Sequence, residues 1–89
     1  MRSRINADFL KAYRKLPKDV RQQARKAYRL FKENPQHPSL NFKTIHPTQP
    51  IYSARVSRNY RTVGVRSDDV IIWFWIGSHD DYDTLIASL

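Results

Sequence analysis

Arg55, Arg61 and His79 are the side chains of this sequence whose types and spacing allow joint chemistry. The two arginines flank Ser57-Arg58-Asn59, a polar tripeptide between two segments of alternating apolar and polar residues. If those segments are hairpin arms joined by a three-residue loop, with Asn59 in the left-handed conformation, Arg55 lies directly across from Arg61 on one sheet face. A two-residue loop would separate them. Two guanidiniums so placed can hold a phosphate bidentately and stabilise charge that develops on it. His79 follows the next apolar run and could give or take a proton there. Each residue also has a structural explanation: arginines on an open face are often only solvated, and a histidine after a strand can cap or pack.

The elements that must position these groups are legible in the periodicity. Val70-Ile71-Ile72-Trp73-Phe74-Trp75-Ile76 is a run of large, mostly β-branched or aromatic residues, read as a strand buried on both faces. Strict alternation places Trp73 and Trp75 on one face, and Ile72, Phe74 and Ile76 on the other. Ile51 to Val56 and Tyr60 to Arg66 precede it as antiparallel partners, with Asp68-Asp69 as the second turn. Asn6 and Asp8 offer caps for a helix with Phe9, Leu10, Tyr13 and Leu16 on one face. Pro17 ends it and opens a second helix, Lys18 to Asn34, whose apolar stripe is Val20, Ala24, Ala27, Tyr28 and Phe31. Ser78 caps a short C-terminal helix, with Asp81 as its capping-box partner. Arg4-Ile5 is a candidate edge strand. The expectation is one α+β domain over residues 1–89. It has an N-terminal αα-hairpin packed on a small, mainly antiparallel sheet of three to four strands, with a short C-terminal helix.

Charge narrows the partners. The chain has 89 residues and a formal net charge of +8. Its acids are sparse up to residue 67, while residues 68–89 hold five aspartates and no lysine or arginine. A strongly basic body of this kind suits a nucleic acid or an acidic protein. On the second helix, Arg21, Arg25 and Arg29 recur opposite the apolar stripe, either as a solvated face or as a rail for phosphates. Tyr60 and Tyr82, at strand and helix ends, are expected to reach solvent and are candidates to stack on a base; the tryptophans are read as core. The absence of cysteine excludes disulfides, zinc-thiolate sites and a cysteine nucleophile. His37 and His46 lie in proline-rich loops without ligand spacing, and the aspartate pairs suit a helix first turn and a β-turn, so no metal or other cofactor is expected. No run approaches the ~20 apolar residues of a membrane span. The start of the chain lacks the apolar stretch of a signal peptide, and a cytoplasmic protein is expected.

Three words together resemble the RelE/ParE superfamily of bacterial toxins over essentially the whole chain. They are Asn34-Pro35-Gln36-His37-Pro38-Ser39-Leu40-Asn41-Phe42-Lys43, then Tyr52-Ser53-Ala54-Arg55-Val56 with Asn59-Tyr60-Arg61, then Trp73-Phe74-Trp75-Ile76-Gly77-Ser78-His79-Asp80-Asp81-Tyr82. The resemblance implies a type II toxin–antitoxin module, with a cognate antitoxin wrapped around the toxin in a higher assembly. In the RelE branch it implies metal-independent cleavage of mRNA on the ribosome, by attack of a 2′-hydroxyl on the adjacent phosphate. By motif, Arg61 matches the family's phosphate-binding arginine, and Arg55 falls where a catalytic lysine is common. His79 falls where RelE has an arginine and several relatives have a catalytic histidine. Tyr82 or Tyr60 would orient a base, and Lys43, Arg58 and the cations of the second helix would hold RNA backbone. Two positions depart from RelE. Ser53 replaces a basic residue, and Leu85 falls at the spacing of a C-terminal tyrosine, with Tyr82 three residues earlier. The departures leave open a ParE-like gyrase poison, or a basic RNA- or antitoxin-binding module without toxicity.

Overall fold

The computed structural model describes residues 1–89. Its elements are β1 (Arg2–Ile5), α1 (Ala7–Arg14), α2 (Lys18–Glu33), a 3₁₀ turn (Pro38–Leu40), β2 (Lys43–Thr44), β3 (Ile51–Ser57), β4 (Tyr60–Ser67), β5 (Val70–Ser78) and α3 (His79–Ser88). The five strands form one sheet in the order β1-β5-β4-β3-β2. β1 runs parallel to β5, and the other pairs are antiparallel. The fold is α+β, with one strand more than the sequence suggested. No helix is long and apolar enough to cross a membrane.

β1 is weak in sequence because its pairing supplies what its composition does not. Its exposed Arg2 and Arg4 flank Ser3, whose Oγ accepts from the indole Nε1 of Trp73 at 2.9 Å. The Ser3 carbonyl accepts from the Tyr28 hydroxyl at 3.0 Å. α1 then starts where expected: the Phe9 N–H donates to Asn6 Oδ1 at 2.9 Å, and the Asn6 N–H donates to the Trp73 carbonyl at 3.1 Å. The cap is thereby tied to the strand that the helix must cover. α2 follows Pro17 and ends at Asn34, whose extended backbone precedes Pro35.

The helical hairpin lies on one sheet face. Phe9, Ala24, Phe31, Leu40, Ala54, Ile71, Trp73 and Ile76 form the core there, with Phe31 packed edge-on against Trp73 at 5.3 Å between ring centroids. This overturns the expected alternation along β5. Val63 pairs with Trp75 but Gly64 pairs with Trp73, so Phe74 is an extra residue in the ladder. A one-residue bulge reverses the facing of everything beyond it. Trp73 and Ile76 therefore share the hairpin side, while Trp75 packs on the opposite face against Tyr82 of α3. Gly64 makes the close approach feasible, since a Cβ there would meet Trp73 Cε3 at 2.8 Å and the Ile72 carbonyl at 2.9 Å. Gly64→Ala is expected to destabilise the fold by about 1–3 kcal/mol through this overpacking, measured as a lowered urea midpoint with an unchanged slope.

Candidate functional site

The second sheet face carries Lys43, Ser53 and Arg55 from the outer strands, Arg61, Val63 and Val65 from β4, and Ile72, Trp75 and Gly77 from β5, by register. α3 crosses one end of it. Its first residue is anchored from the hairpin tip, because the His79 N–H donates to the Asn59 carbonyl at 2.8 Å. Ser78 Oγ accepts from the Asp81 N–H at 3.2 Å, the expected N-cap.

Arg55 does lie across from Arg61, but not by the loop expected. The turn has two residues, Arg58-Asn59, closed by the Ser57–Tyr60 pair, and Asn59 is not left-handed. A bulge at Val56, between Arg55 and Ser57, supplies the missing residue on β3. An offset that the sequence analysis placed in the loop sits in the strand, with the same result for the two arginines. Arg61 Nη1 donates to the carbonyls of Ser57 at 2.7 Å, Tyr60 at 2.9 Å and Arg58 at 3.3 Å, so the guanidinium also closes the turn.

Burial, and then the charge of Arg55, lower the Arg61 guanidinium from its ordinary value; Tyr82 and Asp83 oppose the shift. Arginine stays protonated regardless, so the meaning is electrostatic: two like charges face one another with only a partial counterweight. No lysine or arginine of the chain takes part in a salt bridge. The ion pairs are the N-terminal amine with Asp69 and His79 with Asp83. This arrangement favours an incoming anion that touches both guanidiniums.

His79 is exposed at the same end, its Nδ1 3.4 Å from Asp83 Oδ2 one helical turn on. Asp83 is not among the residues expected at the site, although its i,i+4 spacing from His79 is the signal that pairs them. His79, Asp80 and Asp83 offer ligand atoms within 4.8 Å of one another, a grouping that spacing alone did not suggest. All three are exposed, and the helix dipole with the His79–Asp83 pair accounts for them.

The other candidates separate. Tyr82 does not reach solvent: it is 6% exposed, and its hydroxyl donates to Ser53 Oγ at 3.0 Å. Its ring forms a floor 6.0 Å from the His79 ring and 6.4 Å from that of Trp75. Tyr60, adjacent to Arg61 on the strand, points to the hairpin side and lines a groove with Leu16, Pro17 and Ser78. By register it faces away from Arg61. Arg58 is exposed at the turn, and Lys43 is exposed across from Ser53. Arg21, Arg25 and Arg29 stay with α2 behind the sheet, where Arg25 Nη1 donates to the Tyr13 hydroxyl at 2.6 Å. Arg25, Arg29 and Arg55 border an apolar groove of about 380 Å³ between the hairpin and the sheet. His37 and His46 cap their own loops, each accepting a backbone N–H at Nδ1.

The chain is thus a basic α+β domain with two facing arginines that have no salt-bridge partner and an exposed histidine at the start of α3. Residues 18–84 match the family model of the ParE-like toxin domain, and the chain belongs to that family, within the RelE/ParE superfamily of type II toxins. A search of curated proteins finds no significant match. Among solved structures it is similar to a chain of the RelB–RelE antitoxin–toxin complex from Methanococcus jannaschii. The TM-score is 0.73 at 19% identity, over 91% of this chain and 96% of that one. YafQ from Escherichia coli superposes with a TM-score of 0.72 at 12% identity, over 92% and 98% of the two chains. A chain of the intact Escherichia coli RelBE toxin–antitoxin complex does so with 0.64 at 25% identity, over 85% and 93%.

The buried Tyr82–Ser53 bond gives a stability test. Ser53→Ala leaves the tyrosine hydroxyl without its partner and is expected to cost about 1–3 kcal/mol. Adding Tyr82→Phe removes the stranded group and should recover part of the loss, as read from urea unfolding of the single and double variants.

Proposed function

We propose that this chain is the toxin of a type II toxin–antitoxin module and acts as a metal-independent, ribosome-dependent mRNA endoribonuclease. The observation that carries the reading is the Arg55–Arg61 pair, without a carboxylate partner, beside His79 at the start of α3. In the proposed reaction the two guanidiniums hold the scissile phosphate and stabilise the charge of its transition state. The 2′-hydroxyl of the upstream nucleotide loses its proton and attacks that phosphorus, and the bond to the downstream 5′-oxygen breaks. A 2′,3′-cyclic phosphate and a 5′-hydroxyl result. His79 serves as general acid or base in this exchange, and Asp83 stands beside its Nδ1. Tyr82 acts from beneath, as a support of the floor. Lys43 and Arg58 extend the positive face along the RNA backbone.

The similar complexes from Methanococcus jannaschii and Escherichia coli support a cognate antitoxin as partner. The apolar groove bordered by Arg25 and Arg29 suits an acidic amphipathic segment of such a protein. A second reading, a gyrase poison without nuclease activity, is favoured by one observation, the match to the ParE-like family.

Induced expression with primer extension on cellular mRNA separates the two readings. Arg61→Ala and His79→Ala are each expected to relieve growth arrest, with mRNA cleavage lowered about 10²–10⁴-fold for the histidine. Intact mRNA with a DNA-damage response in cells expressing the unaltered toxin would establish the gyrase reading instead.

A further inference from the structure

We propose that Trp75 is the platform on which this site stacks an unpaired nucleobase, next to the phosphate held by Arg55 and Arg61. The inference rests on the ribonuclease reading and adds the residue that takes the base. Both tyrosines suited to that task by sequence are withdrawn from it, Tyr82 by burial under a hydrogen bond and Tyr60 by its position on the hairpin side. Trp75 is the aromatic side chain that the Phe74 bulge turns onto the arginine face. Bulges beside active sites commonly re-aim a side chain in this way.

The two tryptophans of β5 divide into different states. Trp73 is 3% exposed, and its indole N–H is spent on Ser3. Trp75 is only partly buried and makes no side-chain hydrogen bond. No buried side-chain polar atom lacks a partner, so the unpaired Trp75 indole N–H is not sealed from solvent. An indole with one side packed and its polar edge wet is typical of a side chain that completes an interface.

Gly77 sets where the ring lies. The benzene half of the Trp75 indole covers it: a Cβ at Gly77 would meet Trp75 Cζ2 at 2.6 Å and Cη2 at 2.9 Å. Gly77 is the direct cross-strand partner of Arg61, and Val63 that of Trp75. Arg61 and Trp75 are therefore diagonal neighbours on one face, their backbones about 7–8 Å apart across the two strands, within the span of one nucleotide's phosphate and base. Stacking on an indole tolerates every base, because each has a π-face. The ligand class is a single-stranded RNA segment gripped by phosphate and ring, with little demand on sequence.

Binding of an uncleavable 2′-O-methyl oligoribonucleotide to the full chain tests this, followed by anisotropy of a labelled RNA and, separately, by tryptophan emission. The expected result is quenching of the wild-type emission as RNA saturates. Trp75→Leu should bind about 10- to 100-fold more weakly, with its remaining Trp73 emission unmoved by RNA. Trp75→Phe, which keeps a ring, should retain most of the affinity and shows the same silent Trp73. Wild-type affinity in Trp75→Leu, or saturation of the wild type without quenching, overturns the proposal. If the wild type leaves the oligonucleotide unbound but cleaves mRNA on ribosomes, the stacking role falls alone. If it neither binds nor cleaves, the ribonuclease reading falls with it.

Discussion

Strand β5 has to satisfy two layers at once. It is paired on both edges, by β1 and β4, and covered on one face by the helical hairpin and on the other by α3. A strand in that position can alternate large residues toward both layers, but its two tryptophans are spaced to fall on the same side. The single extra residue at Phe74 resolves the conflict by sending Trp73 into the hairpin core and Trp75 to the opposite face. From that offset follow the position of Gly77 beside Arg61, the seat of Tyr82 under α3, and the placement of His79 at the hairpin tip.

The site combines unlike requirements in a small volume. Arg55 and Arg61 repel each other, and the fold tolerates this because neither is fully buried and because Arg61 also closes the β3–β4 turn through three carbonyls. The guanidinium that closes the turn is thus also the one that faces Arg55. The start of α3 is held to that turn by the His79 N–H, so hairpin tip, arginine pair and histidine form one mechanical unit. The floor beneath is buried and hydrogen-bonded, through Tyr82 and Ser53. Where RelE has a basic side chain, this chain has a serine that holds up the floor.

Much of this is legible in the amino-acid sequence. The helical hairpin, the three antiparallel strands and the capped C-terminal helix follow from caps, prolines and periodicity. The facing of Arg55 and Arg61 was expected from a three-residue loop and arises instead from a two-residue turn with a bulge at Val56. Three things escaped for physical reasons. β2 is only Lys43–Thr44, too short for a period-two pattern to show, and the parallel partner of the expected Arg4-Ile5 edge strand lies at the far end of the chain, where no local pattern encodes it. Both bulges are single-residue offsets that a period-two reading cannot place; one misassigned the faces of β5, while the other left the arginine pair intact because it did the work of a longer loop. Tyr82 looked exposed because it begins a helix, but that helix lies on the sheet and turns its tyrosine inward.

What the amino-acid sequence determined by itself is the run of helices and main strands and the charge: an αα-hairpin, a hydrophobic central strand, and 16 lysines and arginines against 8 acids. Those are local or additive properties, set by side-chain type and spacing. What only the tertiary structure decided is facing. Which ring meets which cation depends on register between strands, and a one-residue slip moves a side chain to the other side of the sheet. The strand from Val70 to Ser78 could therefore be recognised in the sequence, whereas the separate surroundings of Trp73 and Trp75 arise from its pairing with β4.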